Sequence, residues 1–285
     1  MSEVSSFTRL QEAFDNIYSD IWSVSLRWET IKGKIKNKLL SGRYLIAPVK
    51  VFKGSDGKYY SRWASEDNVV LKALSIVLTG ILQQKVSTKC CHLKGNGGVK
   101  GAVKRVITTI SEHKYVVKSD VVDFYKSMNH KILLEHCKKI IKDKRIIKIL
   151  KQYMNRLEDV NGKYSLVSEG ISKGCSLSPL MGAIILESLD TEIGENFTYT
   201  RYIDDWVILT RTRGALRRVV KKMHKIMKVL KFKLAIDKTY IGKISNGFDF
   251  LGYRFGREGI ESCLPTKTIR GFINKTTMLY ELKHV

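Results

Sequence analysis

Two acids, Asp204 and Asp205, stand side by side between a run that reads as a strand, Tyr199 to Ile203, and a second such run, Trp206 to Thr210. Aromatic and β-branched residues dominate both arms, and the acids fall at the tight connection between them. The pattern is a β-hairpin with its charge at the tip. Side chains alternate along a strand, so the two carboxylates are expected to point in different directions. One then serves as a full ligand of a shared metal while the other supports it. Such a site must recruit a further carboxylate from elsewhere in the chain. An Asp-Asp pair also makes an ordinary hairpin turn, and on these two residues alone that plainer reading stands.

A chain of 285 residues with 44% apolar content and three prolines can bury one large core or two closely joined subdomains. Its 51 Lys and Arg against 27 Asp and Glu give a formal charge of +24. A field of that sign favours an anionic partner, nucleic acid first. No stretch approaches the length of a continuous apolar membrane span, and Met1-Ser2-Glu3-Val4 has no basic segment leading into an apolar core. Neither secretion nor a membrane is expected. Cysteines 90, 91, 137, 175 and 263 are odd in number and lack paired spacing, as in a reducing cytoplasm. Cys90-Cys91-His92 has no second ligand pair at a zinc-site interval.

In chain order, Phe7, Leu10, Phe14, Ile17, Tyr18, Ile21 and Trp22 recur at helical spacing, and a basic helix follows over Trp28 to Leu40. Tyr44 to Phe52 reads as a strand entry, Lys53 to Lys58 as a turn and Tyr59 to Trp63 as the return strand. Lys50, Lys53, Lys58 and Arg62 on this hairpin suit a triphosphate as well as plain solvent. A helix with Ser65 as its cap follows, packing Val69, Val70, Ala73, Leu74, Val77, Leu78 and Ile81. The glycine cluster from His92 to Gly101 does not fit GxxxxGK[ST] and is either a turn or a place of close approach to a strand. It leads into a helix carrying Val103, Val106, Ile107 and Ile110.

Tyr115 to Ser119 is a short strand ending in Asp120, which supplies the distant carboxylate. Asp123 reads as a turn residue. Apolar residues from Ile132 to Met154 recur at helical spacing under a lysine-rich exterior. Ser168 to Pro179 is a glycine-flanked loop presenting Lys173, with Ser178 and Pro179 suited to an N-cap and first helical residue. Leu180 to Leu189 is a buried helix whose Gly182 and Ala183 allow close packing against a sheet. Leu216 to Leu230 is an amphipathic helix with basic outer faces.

Asp120 after a strand, the Gly170 to Pro179 loop, Tyr202-Ile203-Asp204-Asp205, Asp237-Lys238-Thr239 and Phe250-Leu251-Gly252-Tyr253 follow one another in the order seen in reverse transcriptases. The set resembles a compact bacterial member related to the group II intron and retron enzymes, over residues 43 to 280 and most sharply from 115 to 253. The resemblance implies an α+β right-hand polymerase with antiparallel sheet and packed helices. It divides the chain into a helical extension (1–42), fingers (43–114), a palm with interleaved fingers elements (115–253) and an abbreviated thumb (254–285), with one thumb-like helix over Ile269 to Leu282.

By position, the resemblance makes Asp120 and Asp204 the catalytic aspartates binding two Mg2+ ions, with Mn2+ as an in-vitro substitute, and Asp205 their supporting neighbour. Tyr125 becomes the aromatic gate that excludes a 2′-hydroxyl, Lys58 and Arg62 the triphosphate contacts, and Lys238 the acid that protonates leaving pyrophosphate. Phe250 to Tyr253 becomes the primer-grip turn. The family's Pro-Gln-Gly is replaced by Ser172-Lys173-Gly174, so Lys173 stands where a glutamine contact is usual. The implied activity is RNA-directed DNA polymerisation from dNTPs, a nucleotidyltransferase reaction, on a DNA or RNA primer. Implied partners are an RNA template and a dedicated structured non-coding RNA, with an antiviral defence role and a homo-oligomer both open. The alternatives are a non-catalytic polymerase-like nucleic-acid-binding subunit, or a DNA-templated or untemplated polymerase.

Overall fold

The computed structural model describes residues 1–17, 28–57 and 59–262. Tyr18, Ile21, Trp22, Lys58, Cys263 and the expected thumb helix lie outside the described residues. The strands are β1 (Val49–Lys53), β2 (Tyr59–Arg62), β3 (Tyr115–Ser119), β4 (Leu157–Val160), β5 (Lys163–Leu166), β6 (Thr198–Tyr202), β7 (Asp205–Thr210), β8 (Tyr240–Lys243), β9 (Phe248–Phe250), β10 (Tyr253–Gly256) and β11 (Gly259–Ser262). Among the described residues packed helices accompany three sheets, so the fold is mixed α+β. Among the described residues no helix is long and apolar enough to cross a membrane.

The chain divides into two compact units made of interleaved segments. The first comprises Met1–Thr88, Val122–Ser188 and Met227–Phe232. Its central helix, Ser65–Gln83, is buried on most of its circumference, which the near-continuous apolar run Val69 to Leu74 dictates. Ala64, without a side-chain bond, is the N-cap and Ser65 is the first helical residue, not the cap. Asp67 in that first turn accepts from the Tyr44 hydroxyl at 2.7 Å and the Ala47 N–H at 3.0 Å, pinning the incoming segment. Residues 43–48 are consequently not a strand, and β1 begins only at Val49. The sheet of this unit has the order β2-β1-β4-β5, with β1 and β4 parallel and the other neighbours antiparallel.

The helix expected after the Gly170 loop splits into Ser178–Ile185 and Glu187–Glu192. Leu177 is the N-cap of the first piece, because the Ser178 hydroxyl is committed to the Ser172 carbonyl at 2.5 Å and to Tyr153 at 3.1 Å. Gly182 packs not on a sheet but on the Phe124 ring, which an added Cβ would meet at 3.0 Å.

The second unit comprises Lys89–Val121, Leu189–Ile226 and Lys233–Val285. Its main sheet is antiparallel throughout, in the order β6-β7-β3-β8, and β9, β10 and β11 form a smaller antiparallel sheet. Ala102, Val103, Val106 and Ile110 of the helix Gly98–Ile110 meet Val116, Val207 and Leu209 of the main sheet and Phe248, Phe250 and Phe255 of the small one. Ile107, expected on that stripe, is 41% exposed: the buried face runs through Ala102 and Val106 instead. β9 and β10 join through Leu251 and Gly252, both at positive φ (48° and 89°), the geometry a two-residue hairpin turn requires.

Candidate active site

The β6–β7 hairpin ends in a two-residue turn, since Tyr202 pairs with Asp205 and only Ile203 and Asp204 lie between. Ile203 sits at φ 57°, a conformation a β-branched residue adopts only when its surroundings enforce it. Several contacts do so. The Ile203 N–H donates to His92 Nδ1 at 3.0 Å, and its carbonyl accepts from Arg201 Nη1 at 2.7 Å. Arg201 is fully buried and ion-paired with Asp190, also fully buried, and its Nε donates to Asp190 Oδ1 at 2.8 Å. The Tyr199 hydroxyl donates to the same oxygen at 2.7 Å. The segment Lys89–Cys91 is stitched alongside, with Arg201 N–H donating to the Lys89 carbonyl at 2.9 Å and Cys91 N–H to the Arg201 carbonyl at 2.8 Å. Cys90-Cys91-His92 therefore serves as a brace for the hairpin tip. Burial pushes the Cys90 thiol up to about 12, which leaves it a neutral filler.

The register of the sheet brings the acids to one end. Ser119 of β3 lies opposite Trp206 of β7, so one step beyond the ladder Asp120 stands opposite Asp205. Lys118 is opposite Val207, and alternation puts it on the same face as Asp205, where its Nζ lies 3.5 Å from Asp205 Oδ1. That distance is an ion pair without a closed hydrogen bond, since Asp205 Oδ1 is buried and has no hydrogen-bond partner. Asp120 is 8% exposed and its Oδ1 accepts from the Val121 N–H at 2.8 Å. Its Oδ2 takes a 2.6 Å bond from Lys238 Nζ, which reaches in from the 3₁₀ turn Ile236–Lys238 before β8.

The two tip acids sit in an environment hostile to their charge. Asp204 is raised to about 7, by burial first and then by the neighbouring Asp120 carboxylate, with which it shares a hydrogen bond. Asp205 is raised to about 6 by burial, with Lys118 pulling the other way and Asp120 adding to the rise. The Lys238 ammonium is held above its ordinary value by its bond to Asp120. Among the described residues no three His, Cys, Asp or Glu side chains close around a single point. The donor set nevertheless fits a hard divalent cation: oxygen ligands only, an orphaned buried carboxylate oxygen, and repulsion that a cation would relieve.

Asp120, Asp204, Asp205 and Lys238 thus come together in the second unit, whereas Arg62, Tyr125 and Lys173 belong to the first and Lys58 lies outside the described residues. Arg62 and Lys173 line one cleft of about 980 Å3 together with Lys126, Arg156 and the rings of Tyr59 and Tyr60. The loop that carries Lys173 is seated on the turn before the helix His130–Ile140. Gly170 N–H donates to the Met128 carbonyl at 2.9 Å, Ile171 N–H to the Tyr125 carbonyl at 2.7 Å, and His130 Nε2 bonds the Gly170 carbonyl at 2.8 Å. The Tyr125 ring packs beside Phe124, their centroids 5.2 Å apart. Sequence reasoning missed Lys118, although its position two residues before Asp120 was a period-two signal. It also missed His92, Asp190 and Arg201 as supports, and no local pattern marks those.

The family model for reverse transcriptase (RNA-dependent DNA polymerase) matches residues 61–255, the span that carries every one of the clustered acids. The chain belongs to the reverse transcriptase family. Protein YkfC of Escherichia coli (strain K12) is 23% identical over 297 residues, covering 86% of this chain and 78% of that protein. The retron Ec73 reverse transcriptase of Escherichia coli is 28% identical over 148 residues, covering 48% of this chain and 46% of the retron enzyme. The apo telomerase of Candida tropicalis shares the fold, with a TM-score of 0.59 at 13% identity over 82% of this chain and 53% of the telomerase chain. This reverse-transcriptase-family chain thus spans about half the length of both the retron enzyme and the telomerase. Membership implies nucleic-acid substrates and a metal-dependent mechanism.

Proposed function

We propose that this chain is an RNA-directed DNA polymerase that extends a 3′-hydroxyl with dNTPs on a structured RNA template. The observation that carries the reading is the contact of Asp120 with Asp204 beside Asp205 and Lys238, four groups from three separate segments of chain gathered at one end of one sheet. Asp120 and Asp204 would hold two Mg2+ ions, with Asp205 in support, and the ions would supply activation of the hydroxyl and charge neutralisation at phosphorus. The protein's part is to hold the carboxylates rigidly. The Arg201–Asp190 pair and His92 fix the hairpin tip, and the Val121 N–H fixes Asp120. Lys238 would deliver a proton to departing pyrophosphate once its grip on Asp120 is relaxed, because in that bond the ammonium is a weaker acid than usual.

In this reading the second unit's sheet is the palm, bounded as 115–253, with fingers over 43–114 and an abbreviated thumb after 253. The cleft of Arg62 and Lys173 suits a triphosphate or the template, and Lys58 adjoins it in sequence. Tyr125 acts as the sugar gate. Kinship with the compact bacterial group II intron and retron enzymes, a cytoplasmic setting, a structured RNA partner and a role in defence against phage complete the proposal.

A second reading has one observation in its favour: Lys238 and Lys118 already partly neutralise Asp120 and Asp205, as a nucleic-acid-binding subunit without synthesis would tolerate. Primer extension by the purified chain on RNA and DNA templates separates the two. Mg2+-dependent dNTP incorporation on RNA, lost in Asp204→Asn, is the expected result. RNA binding with no extension under any metal, primer or template overturns the polymerase reading. Tyr125→Ala should admit ribonucleotides more readily, and unchanged sugar discrimination removes the gate.

A further inference from the structure

Lys118 lies in β3, the strand with β7 on one side and β8 on the other, opposite Val207 and Tyr240. Asp205 and Lys238 are each two residues nearer the acid end on those flanking sides, the diagonal positions that a long side chain reaches across a sheet. The Lys118 ammonium reaches both. Its Nζ lies 3.5 Å from Asp205 Oδ1 and donates to the Lys238 carbonyl at 3.3 Å. The side chain is 15% exposed, so the ammonium has given up most of its water, and these two oxygens stand in for it.

The turn on the other side of β3 needs such a contact. Ile236–Lys238 has no buried residue, and Ile236 is 89% exposed, so apolar packing does not hold it and polar contacts must. β3 supplies two of them side by side: the Ser119 hydroxyl bonds the Thr239 hydroxyl at 2.7 Å, and Lys118 bonds the Lys238 carbonyl. Only the second of these connects the turn to Asp205, across the width of the strand. The two lysines therefore behave differently toward the acids. Lys238 is half exposed and can leave Asp120 when a cation takes its place. Lys118, tied to a carboxylate on one side and a carbonyl on the other, stays.

We propose that Lys118 is a positioning residue for nucleotidyl transfer. It fixes Asp205 beside Asp120 and, through the Lys238 carbonyl, fixes the turn that aims the Lys238 ammonium. The role rests on the polymerase reading, and in it Lys118 touches no reacting atom: it acts through Asp205 and Lys238.

The test pairs a measurement without chemistry with one of chemistry, both on the full chain. Thermal unfolding in chelator at pH 8 is compared for Lys118→Met, Asp205→Asn and the double variant. Lys118→Met leaves the half-buried Asp205 carboxylate without its cation and should melt about 3–6 °C below wild type. In the Asp205→Asn background the same change should cost less than half of that, and equal costs in both backgrounds overturn the hold on Asp205. Single-turnover primer extension then separates positioning from general destabilisation. Lys118→Met should slow extension at saturating dNTP about 10-fold while dNTP affinity stays within about two-fold. In the Lys238→Ala background it should slow extension only about three-fold further, since one of the two groups it aims is gone. A full 10-fold loss in that background, or no loss in the wild-type background, overturns the role. Should Lys118→Met fail to fold, Lys118→Gln, which keeps a donor without the charge, replaces it in both series. A wild-type chain that extends nothing refutes the polymerase reading instead, and the unfolding cycle still decides whether Lys118 holds Asp205.

Discussion

Neutralising Asp204 should stabilise the metal-free protein while abolishing its proposed chemistry. The carboxyl is raised from its ordinary 3.8 to about 7, which corresponds to a ceiling of about 4 kcal/mol against the charged form. Asp204 is only half-buried and Lys238 and Lys118 lie nearby, so screening reduces the realised penalty to about 1–2 kcal/mol. The sign follows from proton binding. Between pH 3.8 and about 7 the folded state holds a proton that the unfolded chain has released, so stability falls as pH rises through that window and stays low above it. Asp204→Asn removes this carboxyl's share of the fall. Thermal unfolding in chelator at pH 8 should show the variant melting about 2–6 °C above wild type, with a flatter pH profile from 4 to 8. Added Mg2+ should raise the wild-type melting temperature and move the variant much less, since the variant lacks the ligand. A variant that melts below wild type in chelator, or whose pH profile parallels it, would falsify the idea that repulsion is stored at this carboxyl.

Other substitutions probe the supports. Arg201→Met leaves Asp190 buried with its guanidinium partner gone and should cost about 3–5 kcal/mol in denaturant unfolding; a loss below about 1 kcal/mol would show that the pair does not hold the hairpin. Gly170→Ala places a Cβ 2.4 Å from the Lys126 carbonyl oxygen at a φ of 78°. It should destabilise the first unit by about 2 kcal/mol or more, and a neutral effect would mean the loop seats differently. Lys238→Ala should slow single-turnover extension by about 100-fold with little change in dNTP affinity, as removal of a general acid does. An unchanged rate excludes Lys238 from proton delivery.

The acids could be read before any coordinates because their chemistry is local. An Asp-Asp pair between two β-rich runs makes a charged hairpin tip, and a core strand ending in Asp120 brings a third acid to the end of a sheet. Alternation also limited how Asp204 and Asp205 could share a ligand. Lys238 was legible only through the resemblance, for a lysine before a short strand has no distinctive pattern of its own. The helix caps stand one residue before Ser65 and Ser178, and at Ser178 the reason is a competing partner of the hydroxyl that tertiary neighbours supply. Ser178 turns to the Ser172 carbonyl and Tyr153, neither of which its immediate sequence announces.

What the sequence determined by itself was the kind of chemistry available: three carboxylates on strand ends and turns, a basic surface, and the order of motifs that marks the family. The tertiary structure alone decided how those acids are held. Arg201 meets Cys90 across 111 residues and Ile203 meets His92 across 111, and Lys238 reaches Asp120 across 118. Contacts at such separations leave no periodic trace, because periodicity records only which face of an element is buried and not what it is buried against.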